Sequence, residues 1–349
     1  MDDGFRRQLP ADEDVVRLDR SLESRDRPRL PSAVAHEHRL WREERRRMET
    51  SRDWFTPDGR KRRRAVEPLT MILRSLRKAL EASAPTRRVF DRSLDVARRS
   101  VELRLPGLPR GLDGYTILHV SDPHVDALPG LGDAIVRACA GAEVDLLALT
   151  GDFRAACFGP FEEHHIFEPL AALLAGVSAR DGAFAVLGNH DSEAMLEPLE
   201  ALGLQVLINR EHIVRRGADR LSLVGLDDPH RFYGTSTARC LDGLSDGRDV
   251  FRLFLVHSPE LARRAAAKGG DLYLCGHTHG GQICLPGGYP VLRRLHAERD
   301  LAAGPWRRGA MVGYTSTGAG VANSLPLRLF SRSEVALLTL RSASDGAGP

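Results

Sequence analysis

The stretch Asp271–Pro286, DLYLCGHTHGGQICLP, sets two imidazoles one residue apart, His277 and His279, on a glycine-rich turn after a short apolar run. Imidazoles so placed suit the capture of a cation. Four other short apolar runs end in residues of the same kind. SDPH supplies Asp122 and His124, TGDF supplies Asp152, GNHD supplies Asn189, His190 and Asp191, and LVHS supplies His257. Taken singly, each has a plain structural reading. A histidine after a strand is commonly a polar cap, and an aspartate after glycine is commonly a turn or N-cap residue. Taken together, five run ends deliver carboxylate, amide or imidazole and almost nothing else that titrates. Gathered at one edge of a buried sheet, such groups would repel and desolvate one another unless something cationic sat between them.

The ligand count argues for two ions. Asp122, His124, Asp152, Asn189, His257, His277 and His279 make seven candidates. A single ion with room left for water cannot use them all, whereas two ions sharing one bridging carboxylate can. Mixed nitrogen and oxygen donors suit Mn, Fe, Zn or Co better than Mg or Ca. Two divalent ions about 3.5–4 Å apart acidify a bridging water to hydroxide and clamp phosphate oxygens during in-line attack. The leaving alkoxide then needs a proton. His190 follows the candidate ligand Asn189 and is the natural donor.

Elements that deliver these residues are legible as short buried strands: YTILHVSD, VDLLALTGD, GAFAVLGNHD, LSLVGLDD, VFRLFLVHS and DLYLCGHTHG. Helical stretches such as LGDAIVRACAGA, FEPLAALLAGV and SEAMLEPLEALG lie between several of them. Near-continuous apolar strands alternating with helices predict a layered α/β body with a largely buried sheet, with ligands at the carboxyl ends of its strands. Secondary candidates surround the main set. Gly280 and Gly281 would let backbone approach closely. Gln282 would orient a ligand or make a structural hydrogen bond. Asp227 and Asp228 would shape the mouth of the site or cap a turn, and His164 and His165 would border the substrate or lie on the surface.

The chain has 349 residues and a net charge of +3, which hides an asymmetry. Residues 1–110 carry 28 Lys+Arg against 19 Asp+Glu, and the remainder carries 22 against 28. A mildly acidic body suits cation binding. Residues 1–66 read as a basic, flexible extension in which WREERRRMETSRDW forms a short charged helix. Residues 67–100 read as an amphipathic helical segment. Its first helix carries Leu69, Ile72, Leu73, Leu76 and Leu80 on one face, and RRVFDRSLDVARRS forms a second. The catalytic domain is expected over 101–342, with a flexible tail at 343–349. Five cysteines without C-x-x-C spacing predict reduced thiols rather than disulfides or a zinc ribbon, which fits the cytoplasm. No secretory h-region and no membrane span is expected.

The blocks DPH, GDF, GNHD, VH and GHTH, in this order, resemble the calcineurin-like metallophosphoesterases over residues 114–342. GHTHGGQICLP followed by TSTGAG and LPLRLF is similar to a bacterial membrane-associated phosphohydrolase branch that includes UDP-diacylglucosamine hydrolases. The resemblance implies a four-layer α/β sandwich, two mixed sheets flanked by helices, with a dinuclear centre at one edge. It assigns Asp122, His124 and His279 to a first metal and Asn189, His257 and His277 to a second. Asp152 would bridge them, His190 would protonate the leaving group, and Asp191 would orient His190. Pro123 departs from the usual apolar residue between the first two ligands, and SRSEVALLTL lacks the paired prolines expected before its glutamate. A leading membrane helix, common in that branch, has no counterpart.

The reading is a phosphoesterase acting on a phosphodiester or pyrophosphate bond, with a lipid-linked substrate. Residues 61–80 would touch an anionic membrane surface at its inner, cytoplasmic face. A non-catalytic scaffold is disfavoured because every ligand type and His190 are present. A nuclease is disfavoured because no basic patch interleaved with aromatics accompanies the acidic body.

Overall fold

A computed structural model describes residues 32–63, 68–81, 88–157, 162–244, 250–291, 295–322 and 325–343. The readings made for residues 1–31 and 344–349 lie outside that set. Twelve strands form two six-stranded sheets. The first sheet holds β1 (Val96–Leu105), β2 (Thr116–Val120), β3 (Leu146–Leu149), β4 (Ala183–Ala185), β5 (Gln205–Val206) and β12 (Ser333–Ser342), in the order β1-β12-β2-β3-β4-β5. The second holds β6 (Arg210–Arg216), β7 (Asp219–Gly225), β8 (Phe251–Leu255), β9 (Leu272–Cys275), β10 (Gly304–Arg308) and β11 (Met311–Thr315), in the order β6-β7-β8-β9-β11-β10. Pairing is parallel from β2 through β5 and from β7 through β9 to β11. It is antiparallel at β12–β2, β6–β7 and β10–β11, so both sheets are mixed.

Strand period explains the layers. Ile117, Leu146, Ala148, Leu253, Leu255, Leu272 and Leu274 pack in one core between the sheets. Their chain neighbours Leu118, Leu147 and Leu149 face the opposite way, onto Leu131 and Ile135 of helix Leu131–Cys139 and Ile166, Leu170 and Leu173 of helix Glu163–Ala175. On the second sheet Phe254 and Tyr273 face Ala262 and Ala265 of helix Ala262–Ala267. Both faces of both sheets are therefore buried, which is why the strands read as unbroken apolar runs. Helices, sheet, sheet and helices make the four-layer α/β sandwich that was expected.

Two segments differ from the sequence reading. Residues 32–63, taken as part of a flexible extension, fold as helix α1 (Ser32–Thr50) and a hairpin pairing Asp53–Phe55 with Lys61–Arg63. Trp41 and Arg45 of α1 are buried. Composition concealed this docking because an indole and a set of charged side chains make it, not an apolar stripe. The second helix of the 67–100 segment is a single turn, Arg88–Asp91, and a 3-10 turn, Arg92–Leu94. The chain then enters β1 at Val96, ahead of the boundary placed at 101. Ten parallel pairs with β12, with Leu103 and Leu105 buried, outweigh the local helical spacing. The first amphipathic helix, α2 (Pro68–Glu81), forms as expected and leaves Met71, Ile72 and Leu76 exposed.

His119 of β2 lies wholly between the sheets. Its Nε2 meets the Thr150 hydroxyl at 2.9 Å, its ring lies edge-on to Tyr314, and its Nδ1 has no partner. Burial pushes this imidazole from 6.5 down to about 3. Its neutral form supports the fold above pH 6.5, and that support is lost as pH falls from 6.5 towards 3. In urea titrations, His119→Leu is expected to flatten the acid-side loss of stability in that window by about 1.4 kcal/mol per pH unit. An unchanged slope would show that His119 is not held neutral.

Candidate metal centre

Five strands end at a common edge. β2 runs into Asp122 and His124, β3 into Asp152, β4 into Asn189 and His190, β8 into His257, and β9 into His277 and His279. The turns that follow are strained. Nine non-glycine residues have positive φ among the described residues, and five of them are Asp122, His124, Asp152, His277 and His279. A left-handed backbone costs about 1–2 kcal/mol at each such residue. Clustering of that strain at one edge is characteristic of a functional site. Two glycines make the close packing feasible. A Cβ on Gly276 would collide with Ser121 and the Asp122 carboxylate, and one on Gly188 with the Asp152 carboxylate.

All the predicted metal-site residues come together. Asp122, His124 and His279 offer ligand atoms within 4.8 Å of one another, as do Asp152, His257 and His277. In the first group the Nε2 atoms of His124 and His279 lie 3.2 Å apart, and His279 Nε2 lies 3.6 Å from Asp122 Oδ1. In the second, Asn189 Oδ1 lies 2.7 Å from His277 Nδ1 and 3.0 Å from His257 Nε2. Asp152 Oδ2 stands between the groups, 3.6 Å from His124 Nε2 and 3.3 Å from His257 Nε2. His190 Nε2 is 3.9 Å from the same oxygen.

Backbone carbonyls set the rings. Nδ1 of His124 donates to Arg154 O, Nδ1 of His257 to Thr150 O and Nδ1 of His190 to Ala155 O, each at 2.7 Å. The Nε2 atoms of all three rings are therefore turned towards the centre, and those of His124 and His257 can offer it a lone pair. For His257 this puts a lone pair against the Asn189 carbonyl oxygen and the Asp152 carboxylate, so acceptors face acceptors. Either an extra proton or a cation must lie among them. Burial alone would depress His257, but Asp152 and Asp122 raise its proton affinity well above the usual range. Burial raises the Asp122 carboxyl to about 6 and lowers His124 to about 3. Burial also pushes Asp152 up, yet His257, His190 and His124 hold it well below the carboxylate range. Divalent cations fit this donor set: they satisfy the same acceptors without protonating them.

Several roles differ from expectation. Asp191 does not orient the His190 ring, which rests on Ala155 O. Its carboxylate instead accepts from the backbone N–H groups of Asp152, Phe153 and Gly188 at 2.7–2.9 Å, stapling two ligand loops together. Asp228 caps the turn at His230 and Arg231, and Asp227 pairs with Arg45 and Trp41, so both are buried braces rather than a rim. Gln282 bonds to Leu325 O and Ala322 N, a structural role. Gly280 takes φ 58° and packs on Thr317. His164 and His165 are exposed beside Glu162. Sequence reasoning missed Arg45 and also Arg328, a buried guanidinium that donates to the carbonyls of Thr317, Gly318, Gly320 and His279. It missed His230 too, whose ring lies 4.1 Å from that of His277. Neither arginine carries a local signal, because most of its partners are backbone carbonyls or, for Arg45, a carboxylate that only the fold brings near.

A cluster of this composition, at the carboxyl edge of paired sheets, could hold metal ions. Residues 115–281 match the profile of the calcineurin-like phosphoesterases. This match, with the relatives below, marks the chain as a hydrolase acting on phosphoric ester bonds. The chain is 29% identical over 250 residues to the uncharacterized metallophosphoesterase YkuE of Bacillus subtilis, covering 68% of this chain and 82% of that protein. It is 26% identical over 230 residues to the uncharacterized metallophosphoesterase YkoQ of the same organism, covering 63% and 81%. It is 28% identical over 236 residues to the phosphodiesterase YaeI of Escherichia coli, covering 65% and 82%.

Replacing Asp191 by alanine would strand three buried N–H groups. Urea unfolding of the metal-free protein should then show a loss of about 3 kcal/mol. Unchanged stability would show that these three amides do not depend on Asp191.

Proposed function

We propose that the chain hydrolyses a phosphodiester or pyrophosphate bond with two divalent ions, drawn from Mn, Fe, Zn and Co. Asp122, His124 and His279 would hold one ion, Asn189, His257 and His277 the other, and Asp152 both. The observation that carries this reading is the position of Asp152 Oδ2, within 3.6 Å of a histidine from each group. When bound, such a pair of ions supplies an acidified water and neutralises charge on the phosphate.

The chain's own residues supply the rest. His190 keeps Nδ1–H on Ala155 O, so Nε2 faces the centre. Burial works against its protonation, but Cys157 and Asp152 raise it to about 10. It is then an acid at neutral pH, able to give its Nε2 proton to a leaving alkoxide. Asp191 keeps the Asp152 and Asn189 loops in register, and the buried edge excludes bulk water around the ligands.

A lipid-linked substrate at an anionic membrane surface, on its cytoplasmic side, is part of the proposal. Helix α2 supports it: Met71, Ile72 and Leu76 are exposed beside Arg77 and Lys78, and Lys61–Arg63 precede them. No helix among the described residues is long and apolar enough to cross a membrane.

With Mn²⁺ added, the protein is expected to hydrolyse bis(p-nitrophenyl) phosphate, and EDTA should abolish turnover. His190→Ala should lower kcat by about 10²–10⁴-fold. Activity of the parent should fall as pH rises through the His190 pKa. That limb lies below pH 10 once cations neutralise Asp152, and it should vanish in the variant. Full activity of metal-free protein would refute the mechanism. Separately, the full chain should sediment with vesicles rich in phosphatidylglycerol, and Ile72→Glu should weaken this. Equal sedimentation with neutral vesicles, or none, would remove the membrane contact.

A further inference from the structure

Asn189 and His190 sit on the loop Gly188–Glu193, and that loop is gripped from outside by α1. Arg45 has a wholly buried side chain. Its Nη2 donates to Gly188 O at 2.9 Å and to Asp191 O at 2.6 Å, the carbonyls just before Asn189 and just after His190. Its Nη1 pairs with the Asp227 carboxylate, which also accepts from Trp41 Nε1 at 2.7 Å. The Phe232 ring lies 3.4 Å from the guanidinium. One turn on, Glu49 accepts from the backbone N–H of Glu193 at 2.7 Å and from Arg45 Nε at 3.3 Å. Arg46 reaches the Glu193 carboxylate through two bonds, and Arg42 adds a third contact at 3.2 Å. At the far side, Glu44 accepts from the backbone of Thr235 and Ser236.

One helix thus contacts the loop at residues 188, 191 and 193, on both sides of the two that face the centre. Desolvating a guanidinium costs several kcal/mol unless every donor is used in good geometry. Here the planar fork meets two carboxylates and two carbonyls at once, four partners where an ammonium group has three donors. An accessory arm would not need such a contact. Outer partners of metal-site residues fix orientation, and losing them weakens metal binding.

We propose that α1 is a positioning element of the catalytic loop and that Arg45 is its positioning residue, holding Asn189 and His190 towards the metal centre through Gly188 O and Asp191 O. The proposal rests on the reading of Asn189 as a ligand, and the test separates the two. Full-length protein and the variants Arg45→Ala, Arg45→Lys, Asn189→Ala and Arg45→Ala/Asn189→Ala are compared. Mn²⁺ binding is followed by calorimetry, and amide hydrogen exchange over Gly188–Glu193 is followed in the metal-free state. Both Arg45 variants should weaken one of the two Mn²⁺ binding steps, the one that Asn189→Ala removes, by about 10- to 100-fold and leave the other unchanged. They should also speed exchange of the loop amides by about tenfold. Asn189→Ala should remove the same binding, and adding Arg45→Ala should cost nothing further. Should Arg45→Ala fail to fold, Arg45→Lys keeps the charge beside Asp227 and carries the test. Unchanged exchange and affinity in a folded Arg45 variant, or additive losses in the double variant, would overturn the proposal. Should Asn189→Ala leave both Mn²⁺ affinities intact, the ligand assignment fails, while the exchange data still decide whether Arg45 positions the loop.

Discussion

Acceptors facing acceptors in a largely buried cluster is the condition on which the rest of this structure depends. The His257 lone pair, the Asn189 carbonyl oxygen and the Asp152 carboxylate meet within hydrogen-bonding distance, yet the ring's only proton is committed to Thr150 O. Buried polar groups without a donor between them are costly. The fold tolerates them because cations can complete the set. This condition makes sense of the steep opposition in proton affinity at the edge, where His257 is pushed up while the neighbouring His124 is pushed down.

The surrounding architecture serves that edge. Parallel strands bring carboxyl ends to one side, and two sheets packed face to face bring five of those ends into one small volume. Left-handed turns then aim the side chains inwards, at a conformational cost that the β-sandwich core offsets. Asp191, Arg45 and Arg328 are the ties between these turns. Each is buried and each bonds to backbone groups of at least one ligand loop, so those loops are held to the body and not only to their own strands.

Much of this was legible in the sequence. Buried strands announce themselves as apolar runs, and the residue that follows each run is the one aimed at the edge. That is why the residues from Asp122 to His279 that meet at this edge can be named from spacing and order. The layers followed from the same runs. Tertiary choices were hidden. The arginine-rich segment of α1 looks solvated because its buried members, Trp41 and Arg45, are spaced four apart among charged neighbours and depend on Asp227, which lies far along the chain. The strand Val96–Leu105 looked helical at its start because only its pairing with β12 fixes which side chains turn inward. Asp191 was misread for a related reason. Proximity in sequence suggested His190, whereas its three partners are amides.

The most direct measurement is the number of divalent ions that stay with the chain after dialysis, read by elemental analysis and located by anomalous scattering. Two ions per chain are expected in the parent, one on each side of Asp152, with loss of at least one in Asp152→Asn. A single ion in the parent, or two that survive Asp152→Asn unchanged, would contradict a bridged pair.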